Sequence, residues 1–196
     1  MLKKGIILIA TGHPNYGNMA YNLALSIKSV EDIEVAVVHA GRSLEHLTPE
    51  QKQIFDHKID LPTDYSTGFN TKIHLDQLTP FDCTLCLDVD MLWLGKKPSE
   101  LFAELEGCKF SIITEGDSDN ENKKYYFWAN PDEIKSAYKV SKIYQTRSEV
   151  IYFEKGTEVF AKARELEPDK KLNSIRRFGE WIPDELYFNI SMALLN

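Results

Sequence analysis

The chain has 196 residues, 43% of them hydrophobic, and a formal net charge of −7. That length supplies one substantial core, so a single domain over 1–196 is expected. The acidic balance argues against nucleic acid or an anionic membrane as partner, and no stretch approaches the ~20 apolar residues that span a bilayer.

The opening MLKKGIILIATGHPNYG imitates a signal peptide, but its apolar run is too short and no small-residue cleavage site follows. GIILIAT therefore reads as a first strand, the Gly-, Pro- and Asn-rich GHPNYGN as a loop, and MAYNLALSIKSV as a helix. IEVAVVHA is the next strand. LTPEQKQIFDH is expected to be a helix, with Thr48 as cap, Pro49 at the first position and Glu50 in the first turn. NTKIHLDQL reads as a short helix, CTLCLDVD as a strand, PSELFAEL as a helix opened by Pro98, and KFSIIT as another strand. Asp117 to Lys124 is expected to be a solvated loop, and the four aromatics Tyr125 to Trp128 need cover. PDEIKSAYKV (helix), SEVIYFEK (strand), TEVFAKARELE (helix) and DELYFNISMALL (helix) complete the chain. Such alternation predicts an α/β fold with a mainly parallel sheet and helices on both faces.

Within CTLCLDVDMLWLG, Asp88 and Asp90 stand one residue apart at the end of an apolar run. An unpaired buried carboxylate is costly, so the pair calls for a cation, hydrogen-bond donors or exposure at a strand tip. On a strand the two share a face while Val89 points back. Hard oxygen ligands of this kind suit magnesium or manganese, which keep positions open for water and substrate phosphates. The other reading of the pair is a strand running out into a solvated turn that Gly95 and Pro98 continue. Cys83 and Cys86, three apart on a strand, face opposite ways and cannot share a zinc ion. With Cys108 they make an odd set, which suits a reducing compartment, and a cytoplasmic location is expected. Ligands of open α/β sheets gather beyond the carboxyl ends of the strands. Asp88, Asp90 and the loop Thr11 to Gly17 are therefore expected to face one crevice.

In this order, the β-α-β half, the short helix carrying Lys72, CLDVDMLWLG and PSELF resemble the GT-A glycosyltransferases. The resemblance is greatest to the retaining family typified by glycogenin and bacterial lipopolysaccharide glycosyltransferases, and runs over roughly residues 5 to 190. It implies a nucleotide-sugar donor, most often a UDP-sugar, held through Mn2+ or Mg2+ on Asp88 and Asp90, with Asp88 also at the ribose. It implies further that Lys72 reaches the donor sugar or diphosphate, that Thr11 and Tyr16 cup the base, and that a saccharide or other hydroxyl is the acceptor. IPDELYFNI is similar to the family's Asp-Gln-Asp-x-x-Asn stretch, so Asp184 and Glu185 would line the site near the reacting carbon.

The chain also departs from that pattern. Arg147, Ser148 and Glu149 stand where the family has Asn-Ser-Gly, and Glu185 replaces an amide. The family's C-terminal metal-binding histidine matches none of His13, His39, His46, His57 or His74, so the C-terminal part of the family fold is expected to be missing and turnover slow. Trp93 reads as core or a wall beside the site, and Trp181 as an acceptor platform or a packed helix entry. Two other functions compete with transfer: a non-catalytic nucleotide-sugar-binding protein and, more remotely, a haloacid-dehalogenase-type phosphatase. The phosphatase expects its Asp-x-Asp on the first strand, whereas this one lies about eighty residues in.

Overall fold

A computed structural model of the protein describes residues 2–65, 68–118, 128–175 and 182–196. The apolar run near the N-terminus forms β1 (Lys4–Ala10), and the loop after it leads into α1 (Asn15–Val30). Helix α1 buries Ala20, Leu23, Ala24 and Ile27, the one-sided stripe that helical spacing predicts. Its first turn lies so close to the chain at Ser43, beyond the next strand, that a Cβ on Gly17 would sit 2.0 Å from the Ser43 carbonyl oxygen.

β2 (Val35–His39) follows, buried along its apolar length. α2 (Pro49–Lys52) begins with a capping box in which the Thr48 side chain accepts from the Gln51 amide and the Gln51 side chain accepts from the Thr48 amide. The helix ends at Lys52 rather than near His57, because the chain there becomes a strand, β3 (His57–Asp60). This strand alternates half-buried and exposed positions and offers no apolar run to betray it. A 3-10 segment, Gly68–His74, then leads into α3 (Leu75–Leu78).

β4 (Cys83–Leu87) is buried at every position, and α4 (Pro98–Glu104) opens on Pro98 as expected. β5 (Phe110–Asp117) precedes α5 (Pro131–Tyr138), which Asn130 caps by accepting from the Asp132 amide. β6 (Tyr144–Glu154), α6 (Glu158–Leu166), α7 (Lys170–Ile175) and α8 (Asp184–Leu195) complete the fold. The expected loop beyond Ser118, the aromatics Tyr125 to Phe127, and Trp181 lie outside the described residues.

The six strands lie in the order β3-β2-β1-β4-β6-β5. β1 pairs in parallel with β2 and β4, and β2 with β3, whereas β6 is antiparallel to both β4 and β5. The sheet is thus mixed and mostly parallel, with β6 the reversed strand. Alternate residues feed two cores. Ile7, Cys86, Ile151 and Phe153 face α6 and α8, while Ile6, Leu8, Cys83 and Leu85 face α1 and α4. Cys83 and Cys86 therefore lie buried and free on opposite faces. Among the described residues no helix is long and apolar enough to cross a membrane.

Candidate active site

β1 and β4 are neighbours running the same way, so their carboxyl ends open at one edge of the sheet. Beyond Leu87 the Asp88 amide still donates to the Glu149 carbonyl oxygen at 2.9 Å, and the chain then turns as the Met91 amide reaches the Asp88 carbonyl at 3.3 Å. Val89 packs into the core while Asp88 is partly exposed and Asp90 exposed, which is the alternation expected of the pair. At the end of β1, Thr11 is buried and Gly12 has φ +91°, a left-handed conformation that a side chain disfavours. His13 follows, its Nδ1 accepting from the Asn15 amide at 3.1 Å and its ring edge-on to Tyr16.

These two strand ends enclose a cavity of about 290 Å3 lined by Ile9, Thr11, Gly12, His13, Tyr16, Lys72, Asp88, Val89 and Asp90. Five of the residues singled out from the sequence, Thr11, Tyr16, Lys72, Asp88 and Asp90, thus meet at one opening.

Lys72 enters from the 3-10 segment and is 5% exposed. Its ammonium donates to the Ser148 carbonyl and hydroxyl oxygens, both at 3.0 Å, and lies 2.7 Å from Asp88 Oδ1 and 3.6 Å from Asp184 Oδ2. Burial alone would lower its pKa, but Asp184 and Asp88 outweigh burial and hold it above the ordinary lysine value. Burial pushes the Asp88 carboxyl up. Lys72 opposes that rise, but the ammonium is shared with Asp184, and Asp184 and Asp90 add repulsion.

Asp184 takes the first position of α8 and is fully buried. Neither of its carboxylate oxygens has a hydrogen-bond partner among the described residues. The residue lies behind Lys72, outside the described lining of the cavity, and acts on the site through that ammonium. The positive end of the α8 dipole makes this placement tolerable for a carboxylate.

Glu185 faces elsewhere, into a second cavity of about 280 Å3 shared with Glu115, Trp128, Gln145, Thr146, Arg147, Glu149 and Asn189. Burial raises the Glu185 carboxyl to about 7, with Asp184 adding to the rise and Lys72 opposing it. A bulge lies beside this space: Ile112 pairs with Ile151 but Ile113 with Arg147, so Ser148 to Val150 have no partner in β5, while Val150 pairs with Leu87 of β4. Arg147 bridges Glu149 and Glu115 at 2.8 Å each, Gln145 Nε2 donates to Glu115 at 3.0 Å, and the Thr146 hydroxyl donates to Asn189 Oδ1 at 2.7 Å. Glu149 adopts no left-handed conformation, so the glycine it stands in for is not required by the backbone here. The sequence reading missed Glu115, Gln145 and Asn189. The signal was present in Gln145, Arg147 and Glu149, polar at every second position of one strand. Trp93 lies outside both described linings, its amide donating to Ser26 Oγ at 2.9 Å and its indole to the Lys96 carbonyl at 2.7 Å.

Among the described residues no group of three or more His, Cys, Asp or Glu side chains is gathered to hold a metal ion. Asp88 and Asp90 instead offer two carboxylates at an open cavity. That is a partial donor set, fitting a hard cation whose other positions go to water or phosphate oxygens.

The fold is similar to that of solved GT-A glycosyltransferases. The bifunctional glycosyltransferase WbbM superimposes with a TM-score of 0.63 at 12% identity, covering 97% of this chain and 37% of that one. The galactosyltransferase LgtC, solved with donor and acceptor sugar analogs, gives 0.61 at 14% identity, covering 96% of this chain and 70% of its own. The glycosyltransferase GlyE of Streptococcus pneumoniae TIGR4 gives 0.58 at 13% identity, with 96% and 43% covered. The chain therefore spans little more than a third of WbbM. At these identities the likeness is one of fold. No protein-family model matches the chain, and no curated protein matches it in sequence.

Proposed function

We propose that the protein is a glycosyltransferase that takes a sugar from a nucleotide-sugar donor, most readily a UDP-sugar, and passes it to a hydroxyl acceptor. The observation that carries this reading is the meeting of Asp88, Asp90 and Lys72 with the Thr11 to Tyr16 loop around one cavity. Thr11 and Tyr16 would receive the nucleoside, and Asp88 and Asp90 would hold Mn2+ or Mg2+ beside the diphosphate. When bound, the ion supplies Lewis-acid stabilisation of the leaving diphosphate. Lys72 keeps Asp88 in place through its 2.7 Å contact and adds fixed positive charge beside the diphosphate. Asp184 holds that charge on Lys72 from behind.

In the transfer, the bond from the anomeric carbon to the diphosphate oxygen breaks and its electrons leave with the diphosphate. The acceptor oxygen forms the new bond and gives up its proton. Glu185 is the candidate to receive it, since a carboxyl poised near 7 exchanges protons readily at neutral pH. The shared fold with LgtC, solved with donor and acceptor analogs, supports the reading.

A second reading, a nucleotide-sugar-binding protein without turnover, is favoured by the two-carboxylate donor set. The phosphatase reading has nothing in its favour, because the Asp-x-Asp follows β4 and not β1. Incubation with Mn2+ and a panel of nucleotide sugars, with and without simple glycoside acceptors, tests the proposal. Metal-dependent release of nucleoside diphosphate supports transfer. Binding without any release selects the second reading, and the absence of both rejects the two together.

A further inference from the structure

We propose that the second cavity is a pyranose subsite that takes neutral or amino-substituted sugars and turns away anionic ones, with Glu115, Arg147 and Glu149 setting that choice. This rests on the transferase reading and names the class of sugar its site accepts.

The cavity, at about 280 Å3, has room for a single hexose ring. Trp128 gives it an aromatic wall, and Gln145 and Asn189 bring amides, the mixture of one apolar face and a few orienting polar groups that small-ligand sites use. The charge is one-sided, because Glu115 and Glu149 face a single guanidinium, that of Arg147, and Glu185 adds a carboxyl that is partly ionised at neutral pH. Arg147 offsets this only in part, since its guanidinium already donates to Glu149 Oε1 and to Glu115 Oε1 at 2.8 Å each. Among the described lining residues there is no other Lys or Arg.

A carboxylate or phosphate entering here meets an excess of like charge and, among the described lining residues, no cation other than the already paired Arg147. A hydroxyl or an ammonium group meets acceptors. Glu149 Oε2 is buried and has no hydrogen-bond partner among the described residues, so it lacks the kind of donor that a sugar O–H or N–H supplies. The position also suits a donor whose sugar is joined to its diphosphate. Ser148, between Arg147 and Glu149, is gripped by Lys72 of the first cavity, and the Glu149 carbonyl accepts from the Asp88 amide at 2.9 Å. One short piece of β6 thus forms part of both sites.

The test is titration of the full chain, followed by NMR, with the methyl glycosides of glucose, galactose, glucosamine and glucuronic acid, alongside a separate titration with UDP and Mn2+. The first three glycosides are expected to bind and the glucuronide to bind at least about tenfold more weakly. Glu115→Gln is expected to narrow that gap severalfold, whereas a change that acts only through packing would weaken all four glycosides alike. Glu149→Gln is the second variant should the first fail to fold. A glucuronide that binds as well as the glucoside overturns the proposal, as does an unchanged gap in the folded variants. Absence of binding by all four glycosides while UDP binds overturns the subsite alone, whereas failure of UDP to bind is the distinct result that sinks the transferase reading.

Discussion

The Lys72 ammonium lies 2.7 Å from Asp88 at the cavity surface and 3.6 Å from the fully buried Asp184 behind it. A single cation thus joins a carboxylate that faces ligand to one that never meets solvent. Removing one partner of a buried ion pair costs about 3–5 kcal/mol, because the remaining charge is left uncompensated. Lys72→Met is therefore expected to destabilise the fold by about that amount in urea denaturation. Adding Asp184→Asn should recover part of the loss, and a double variant no more stable than Lys72→Met would show that Asp184 does not depend on this ammonium.

Glu185 predicts a pH dependence. Its carboxyl rises from the ordinary 4.5 to about 7 in the folded protein, so the folded state binds this proton more tightly than the unfolded chain does. Its contribution to stability is full below about pH 4.5 and is lost as pH rises through about 7. Glu185→Gln should remove that loss, so that the stability difference between variant and wild type grows across this window. A difference that stays flat with pH would mean that Glu185 titrates as an ordinary surface carboxyl.

The juxtaposition of Thr11, Tyr16, Asp88 and Asp90 was legible in the sequence because strand-end geometry follows from apolar runs and the loops between them, whereas Lys72 was placed beside them only by the resemblance. Strand direction is not written in such runs, so the reversal of β6 was not foreseen, nor was the second cavity beside its bulge against β5. β3 was hidden for another reason: an edge strand reading His-Lys-Ile-Asp looks like the tail of a helix. Asp184 was placed near the reacting carbon by the resemblance alone; its burial against a lysine more than a hundred residues earlier is visible only in the fold.

Gly17 gives a test of how the nucleotide-side loop is held. A Cβ there would lie 2.0 Å from the Ser43 carbonyl oxygen, so Gly17→Ala must push α1 away from the loop after β2 that carries Ser43. Overpacking of this kind costs about 1–3 kcal/mol, which thermal melting would read as a lowered Tm. Gly41 is the contrast, since its Cβ would meet nothing within 4 Å and only its φ of +54° resists substitution, at about 1 kcal/mol. Equal loss of stability in the two variants would contradict the close approach at Gly17.

The account's central claim is that Asp88 and Asp90 hold a cation jointly with a nucleoside diphosphate in the first cavity. Two carboxylates alone bind such an ion weakly, and a diphosphate completes its oxygen shell. Binding of the two must then be mutually reinforcing, since coupling between sites is reciprocal. Calorimetric titration of UDP in the presence and absence of Mn2+ measures this most directly, with Asp90→Asn as the comparison. The predicted result is that Mn2+ tightens UDP at least about tenfold in wild type and far less in the variant. Equal UDP affinity with and without Mn2+, or tightening that survives the loss of Asp90, would contradict it.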